Sequence, residues 1–335
     1  MVGTTFIYAV LIFCLLIFVH EFGHFIAAKS VGIRVNQFAL GMGPVILRFG
    51  KGETEYSLRL FPIGGFVKME GEDEESEDPR SFGYKNIWQK GLVVIAGSVM
   101  NVLTTIVIIT LMALIAGLAT NIIDEVSPGF PAEAAGLLPG DRIVQIDQTQ
   151  VREWDEVLST IGSGTGDTIK ITVERAGETL VLTSGVVKAE DGRRIIGVTS
   201  RGEHNVFRSL IAGVDSTWRW TVEMLSYLGL LFTGKGSMQD LVGPVGIVSM
   251  ISDQAKLGLL YIANLTALIS LNLAIVNMLP FPALDGGRIL FLLIRQVTGK
   301  AISDEVEGKI HFGGILLLFA LMIYLVIQDV GRFFV

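Results

Sequence analysis

The sequence is short of charge. Only 18% of its 335 residues are Asp, Glu, Lys or Arg, and 50% are hydrophobic, whereas a soluble globular chain has about 25% charged residues. The shortage is concentrated in four stretches without a formal charge, namely 1–19, 91–123, 257–284 and 312–328. This distribution excludes an ordinary soluble domain. It predicts a polytopic α-helical membrane protein with about four transmembrane helices.

Cysteine and basic residues are also scarce. Cys14 is the single cysteine, so the chain cannot form an internal disulfide bond. The 26 Lys and Arg residues are outnumbered by 33 Asp and Glu residues, for a net charge of −7. This balance leaves no basic face for a nucleic acid, and we expect no nucleic-acid partner.

The positions of the basic residues predict the orientation in the membrane. No basic residue precedes the first uncharged stretch, and Lys29 and Arg34 follow it. Because basic loops favour the cytoplasm, we expect the amino terminus outside, residues 30–90 inside and residues 124–205 outside. The first stretch lacks the basic start and the cleavage site of a signal peptide. We therefore interpret this stretch as a transmembrane helix that is not cleaved off.

Residues 124–201 have a different pattern from their surroundings. Short alternations of apolar and polar residues at 142–147 and 170–174 predict strands. The stretch 127–147, SPGFPAEAAGLLPGDRIVQID, resembles the PDZ domains of bacterial membrane proteases. The resemblance implies an inserted α+β domain that accepts an extended peptide. A β-rich domain that binds nothing is the alternative.

The stretch 206–233 is apolar but contains charges at Arg208, Asp215, Arg219 and Glu223. Its apolar residues fall on one face of a helix, with the charges beside that face. A spanning helix would have to bury these charges in lipid at a cost of a few kcal/mol each. We therefore predict an interfacial helix on the membrane surface. A fifth transmembrane helix is the alternative, and it would reverse the orientation of everything after it.

The first uncharged stretch leads into a motif that is typical of zinc proteases. His20 and His24 in HEFGH are four residues apart, so both lie on one face of a helix and can bind one zinc ion. Glu21 can reach a water molecule at that ion. The motif is short and occurs by chance, but polar residues at the end of a lipid-length helix are costly without a function.

A catalytic zinc normally has three protein ligands and one open position. The best third candidate is Asp285, which follows the 28 uncharged residues of 257–284 and reaches a similar membrane depth. Asp285 has two alternative roles that do not involve zinc. It can cap the helix that follows, or it can pair with Arg288.

The two motifs together resemble the site-2 protease family of intramembrane zinc metalloproteases. HEFGH on the first span and NMLPFPALDGG at 277–287 carry this resemblance. With a single PDZ domain, the similarity is to the bacterial RseP/RasP group. It implies one Zn²⁺ per chain held by His20, His24 and Asp285, with Glu21 as the general base.

The resemblance also implies contacts to substrate. Asn277 resembles the substrate-positioning asparagine of the family, and Asn101 ends a G-x-x-x-N element at 97–101. Asn277 and Asn101 have an alternative role as hydrogen-bonding groups between helices.

Gly65 and Phe66 belong to a segment at 64–69 that resembles a substrate-binding strand of the family. The alternative is an ordinary hairpin strand. Pro280 and Pro282 leave non-helical backbone that could pair with an extended substrate.

The predicted function is hydrolysis of peptide bonds inside transmembrane segments. The resemblance implies single-span substrates, such as anti-sigma factors already trimmed by another protease and remnant signal peptides, in a bacterial cytoplasmic membrane whose lipid surrounds the enzyme. Two other functions compete with this one. A metal transporter would need more polar residues along its spans, and a catalytically inactive PDZ adaptor would not need Glu21.

The predicted segments are a first transmembrane helix at 1–29, a β-rich cytoplasmic loop at 30–90, a second transmembrane helix at 91–123, a PDZ domain at 124–201, an interfacial helix at 206–233, a third transmembrane segment at 257–287 and a fourth transmembrane helix at 311–330.

Overall fold

The structure is a computed structural model that describes residues 2–50, 52–72, 76–189, 191–299 and 304–333. Its helices are α1 (Val2–Ser30), α2 (Ile87–Ala116), α3 (Pro131–Ala134), α4 (Trp154–Ser163), α5 (Val206–Phe232), α6 (Pro244–Leu257), α7 (Leu259–Asn277), α8 (Asp285–Thr298) and α9 (Asp304–Phe333). Its strands are β1 (Val35–Phe49), β2 (Glu55–Met69), β3 (Leu118–Val126), β4 (Arg142–Ile146), β5 (Thr149–Gln150), β6 (Thr168–Arg175), β7 (Glu178–Gly185), β8 (Val187–Lys188), β9 (Arg194–Ile195) and β10 (Val198–Glu203).

Two compact units share these elements. Residues 1–109 and 213–335 form one unit, and residues 110–212 form the other. In the part of the chain that the structure describes, four helices are long and apolar enough to cross a membrane: Thr5–Ser30, Ile87–Ala116, Leu259–Asn277 and Glu305–Arg332. The predicted fold class, a polytopic helical membrane protein with an inserted α+β domain, is confirmed.

Several element boundaries differ from the predicted ones. Helix α2 ends at Ala116, because Gly117 has a φ of 80° and the apolar residues after it form β3. The absence of charge alone does not show where a helix ends and a partly buried strand begins. The predicted range 91–123 therefore ended too late. The predicted segment 257–287 likewise contains α7, a turn and the start of α8.

The membrane unit is built around α1. One cluster packs Ile12 and Leu16 of α1 against Ile251 of α6 and Leu265 of α7. A second cluster packs the other end of α1 against the β1–β2 sheet and α2. These contacts hold α1 both before and after HEFGH.

The β1–β2 sheet lies against α1, and both strands bend. Residues 37–40 are paired with 55–58 on one side and with 65–68 on the other, so that Ala39 lies between Ser57 and Phe66. Among the described residues, 65–68 has no second partner strand. It is therefore an edge strand, which is a place where an extended peptide can add to a sheet.

The inserted unit has its own core. Its sheet has the order β10-β3-β4-β6-β7, with β5 paired to β4, and α3 and α4 are its two short helices. Fully buried isoleucines, including Ile123, Ile143 and Ile171, form the centre of the core. The alternation of buried and exposed residues in β6 matches the strand pattern expected from its sequence.

Candidate metal centre

The two histidines of HEFGH lie one turn apart near the end of α1. His20 is 8% exposed and His24 is 9% exposed, and their Nε2 atoms are 3.3 Å apart. Two imidazoles approach this closely in a buried place only if their lone pairs have a common partner or one ring donates to the other. The four-residue spacing of the two histidines therefore brings their Nε2 atoms close enough to share one metal ion.

Asp285 completes a triangle with the histidines. Its Oδ2 atom lies 3.2 Å from His20 Nε2 and 3.4 Å from His24 Nε2. Two tetrahedral zinc ligands at bond lengths of about 2.0–2.1 Å are about 3.3–3.4 Å apart. The three sides of the triangle agree with that spacing, so the three residues fit a zinc ion.

The hydrogen bonds around the triangle also fit a metal. The buried Oδ2 of Asp285 has no hydrogen-bond partner of suitable geometry, although two nitrogens are close to it. His24 Nδ1 lies 2.8 Å from the main-chain oxygen of Val93, to which it can donate its proton. That bond leaves the Nε2 lone pair of His24 directed at the triangle, as is usual for a histidine ligand.

A tight turn presents Asp285. The main chain leaves α7 at Asn277 and turns through residues 278–284, where Ala283 has a strained φ of 79°. Asp285 is the first residue of α8, and the positive end of a helix dipole favours a carboxylate there. A Cβ at Gly286 would lie 2.3 Å from the carbonyl oxygens of Met278 and Leu279, so this turn requires glycine.

A second glycine makes room for the histidines. A Cβ on Gly97 of α2 would lie 2.3 Å from His24 Nε2 and 2.8 Å from His20 Cε1. On the other helix, a Cβ on Gly23 would lie 2.4 Å from the carbonyl oxygen of Ala96. The two glycines let α1 and α2 approach so closely that the imidazoles lie directly against the α2 backbone.

Glu21 lies beside the edge strand. A Cβ on Gly65 would be 3.0 Å from Glu21 Cγ and 3.2 Å from Ile17 Cγ2. The structure thus brings Gly65 and Glu21 together. The strand at 65–68 therefore lies next to the Glu21 side chain.

The other predicted substrate residues lie at different distances from the triangle. Asn277 Nδ2 is 3.3 Å from His20 Nε2, whereas Asn101 is 0% exposed and contacts the opposite nitrogen of the same ring. The Phe66 ring is covered by the Arg59 guanidinium at 4.9 Å. Pro280 is exposed. The carbonyl oxygen of Pro282 lies 2.5 Å from where a Cβ on Gly314 of α9 would be. For Phe66, Pro280 and Pro282, contact with substrate stays a prediction.

One residue beside the site belongs to no motif in the sequence. His311 Nδ1 of α9 accepts a hydrogen bond of 2.8 Å from the N–H of Ala283 and packs on the Phe291 ring at 5.4 Å. His311, Phe291 and Ala283 line a cavity of about 890 Å³, together with the ion pair of Arg288 and Glu72. The only signal in the sequence was a histidine next to the fourth apolar stretch.

The geometry agrees with the sequence comparison. Residues 8–321 match the family described as peptidase family M50. The chain belongs to peptidase family M50. The predicted site-2 protease relationship is confirmed. The chain is a metalloprotease, and several of its relatives carry the name zinc metalloprotease.

Several M50 relatives match over nearly their whole length. The zinc metalloprotease RasP of Geobacillus kaustophilus is 31% identical, with 97% of each chain covered. The regulator of sigma-W protease RasP of Bacillus subtilis is 31% identical, with 97% of this chain and 98% of the relative covered. RasP of Bacillus licheniformis is 32% identical over the same shares.

Two solved structures match part of this M50 chain. They are PDZ domains of SdrC-like proteins from Listeria monocytogenes and Listeria innocua. Both are 25% identical with a TM-score of 0.23, and they cover 24% and 27% of this chain and 86% and 99% of their own.

Proposed function

We propose that this M50 protease hydrolyses peptide bonds within transmembrane segments of single-span membrane proteins, with one Zn²⁺ held by His20, His24 and Asp285. The observation that carries the proposal is the buried triangle of ligand atoms, with sides of 3.2–3.4 Å, near the end of a membrane-length helix. Ligands at this depth act on a bond that is itself in or near the membrane.

Each residue has a separate task in the proposed reaction. The zinc ion, when bound, acts as a Lewis acid that polarises the scissile carbonyl and makes water more acidic. Glu21 takes a proton from the attacking water and delivers it to the nitrogen of the leaving amine. Because His20 and His24 are held by α1 and Asp285 by α8, the ligand set needs little rearrangement before the reaction.

The substrate must be extended at the cleaved bond, because a helix hides its carbonyls in hydrogen bonds. The edge strand at 65–68 offers main-chain groups for such an extended segment, and Gly65 allows it to approach Glu21. Asn277, 3.3 Å from His20 Nε2, is close enough to hold a substrate carbonyl beside the ligands. These contacts make unwinding of the substrate part of recognition.

The proposed substrates are single-span proteins such as anti-sigma factors, trimmed beforehand by another protease, and remnant signal peptides. The Bacillus subtilis relative is named as a regulator of sigma-W protease, which supports a substrate of this class. We further propose a location in a bacterial cytoplasmic membrane, with the amino-terminal end of α1 and the inserted domain outside.

The test uses purified protein in detergent and a single-span peptide substrate. We expect about one zinc per chain, loss of zinc in His20→Ala and His24→Ala, and weaker binding in Asp285→Ala. Glu21→Gln should retain zinc but lose turnover by a factor of about 100 or more. Cleavage by Glu21→Gln at the parental rate would show that the assigned base is wrong.

A further inference from the structure

The imidazole of His20 has a side-chain amide on each of its two nitrogens. Asn101 Nδ2 lies 3.3 Å from Nδ1, and Asn277 Nδ2 lies 3.3 Å from Nε2. A neutral imidazole has one N–H and one lone pair. Two amide NH₂ groups therefore cannot both donate to the same ring, and at least one amide has to present its oxygen instead.

The triangle of ligand atoms decides which nitrogen carries the proton. His20 Nε2 is directed at His24 Nε2 and Asp285 Oδ2, so its lone pair is needed there. The proton is then on Nδ1, and Nδ1–H needs an acceptor. The nearest side chain is Asn101, whose Oδ1 is buried without a hydrogen-bond partner. Rotating the amide by half a turn exchanges its oxygen and nitrogen with almost no change of shape.

The backbone at Asn101 is held in place. Its main-chain oxygen accepts hydrogen bonds from Ser270 Oγ of α7 at 2.9 Å and from Thr105 Oγ1 at 3.0 Å. Asn101, Thr105 and Ser270 are all 0% exposed. The amide therefore cannot withdraw to solvent, and a substrate cannot reach it without a rearrangement of α2 and α7.

We propose that Asn101 is a positioning residue, whose amide oxygen accepts the Nδ1–H of His20 and so keeps Nε2 available as a metal ligand. The Val93 carbonyl does the same for His24. This inference rests on the proposed zinc site and gives Asn101 a role other than substrate contact. Partners of this kind raise metal affinity by holding the ring in one tautomer and one orientation.

Two variants of similar size separate the possible roles. Asn101→Asp keeps an acceptor oxygen and loses the NH₂ group, whereas Asn101→Leu loses both. We expect Asn101→Leu to weaken zinc binding about 10- to 100-fold in competition with a chelator, and to alter the visible spectrum of the cobalt-substituted protein. The zinc affinity and the cobalt spectrum of Asn101→Asp should be close to those of the parental protein. Ser270→Ala is the control, because it disturbs the same helix contact without touching His20.

Three results would overturn the inference. If Asn101→Leu has parental zinc affinity and cobalt spectrum but a raised KM, Asn101 contacts substrate. If Asn101→Asp loses zinc as severely as Asn101→Leu, or if Ser270→Ala loses as much, the oxygen acceptor is not the cause. A parental protein that binds no zinc would instead overturn the proposed function itself, and this inference with it.

Discussion

At the candidate metal centre, one of the tightest contacts belongs to a residue without a side chain. Gly97 lies so close to His20 and His24 that any Cβ would overlap their rings. The G-x-x-x-N element thus has a physical explanation. Its glycine makes room for both imidazoles, and its asparagine lies one turn further along α2, beside His20.

Gly97→Ala tests this close approach. The added methyl group would lie 2.3 Å from His24 Nε2, so we expect the histidine to be displaced and most of the bound zinc to be lost. Gly91→Ala, in the same helix with nothing within 4 Å of its Cβ, is the matched control. Zinc analysis of both purified variants checks the prediction, and full zinc occupancy in Gly97→Ala would contradict it.

A single ion pair is important in the inserted domain. The Asp141 carboxylate is completely buried and accepts two hydrogen bonds of 2.7 Å from Arg175. Burial raises the pKa of Asp141, but the bonds from Arg175 and from the Leu138 N–H lower it more, so the pKa lies below its usual range. The pair therefore stabilises the domain at neutral pH.

The sign of the pH dependence follows from this lowered pKa. The contribution is fully present above the unfolded pKa of about 3.9 and is lost as the pH falls through the folded pKa. Asp141→Asn should destabilise the domain at pH 7 by about 1–3 kcal/mol, measured as faster amide hydrogen exchange in β4 and β6. Glu178→Gln, at an exposed position, is the control. Equal exchange in Asp141→Asn and the parent would contradict the prediction.

At the scale of elements, α9 supports the turn that presents Asp285. Gly314 packs against the Pro282 backbone, and His311 accepts the hydrogen bond of the strained Ala283. The fourth apolar helix therefore acts on the site without contributing a ligand.

His311→Leu should loosen this turn. The Ala283 N–H, which is partly buried, would lose its acceptor at a cost of about 1 kcal/mol. We expect a lower thermal stability and faster zinc loss to a chelator. His311→Gln, which can offer an oxygen, should recover part of the effect, and Phe312→Leu, at an exposed position of α9, should have none. Parental zinc retention in His311→Leu would show that the turn holds without it.

At the scale of the whole molecule, the membrane unit has an apolar exterior. Large apolar side chains of α9 are exposed, including Phe312, Leu316, Leu317 and Ile323 at 55–61%. Such a surface suits a lipid environment. Lipid tails are as apolar as these side chains, so exposing the side chains to lipid has no hydrophobic cost. Inside this unit, the close approach of α1 and α2 at Gly23 and Gly97 adds to the apolar clusters that pack around α1.

The proposed orientation can be tested in intact cells. In a Cys14→Ala background, a cysteine replacing Arg193 should react with an impermeant thiol reagent, and one replacing Glu305 should react only after lysis. Both native side chains are well exposed, so burial does not limit the reaction. Reaction of both cysteines in intact cells would indicate that α5 crosses the membrane and that the interfacial prediction is wrong.

The sequence by itself determined the features that depend on local spacing. His20 and His24 share a helix face because four residues make about one turn, and uncharged length alone predicts helices that cross lipid. The motif around Asp285 and the family resemblance supplied the third residue of the triangle. These patterns do not depend on how the rest of the chain packs.

Tertiary structure alone decided the contacts between distant segments. Gly97 is essential only because α2 crosses α1 at the histidines, and Asn101 contacts His20 only because the two helices have this register. The support that His311 gives to Ala283 and the pairing of Asp141 with Arg175 are of the same kind. Local propensity carries no information about which helices become neighbours. That choice depends on the packing of the whole unit.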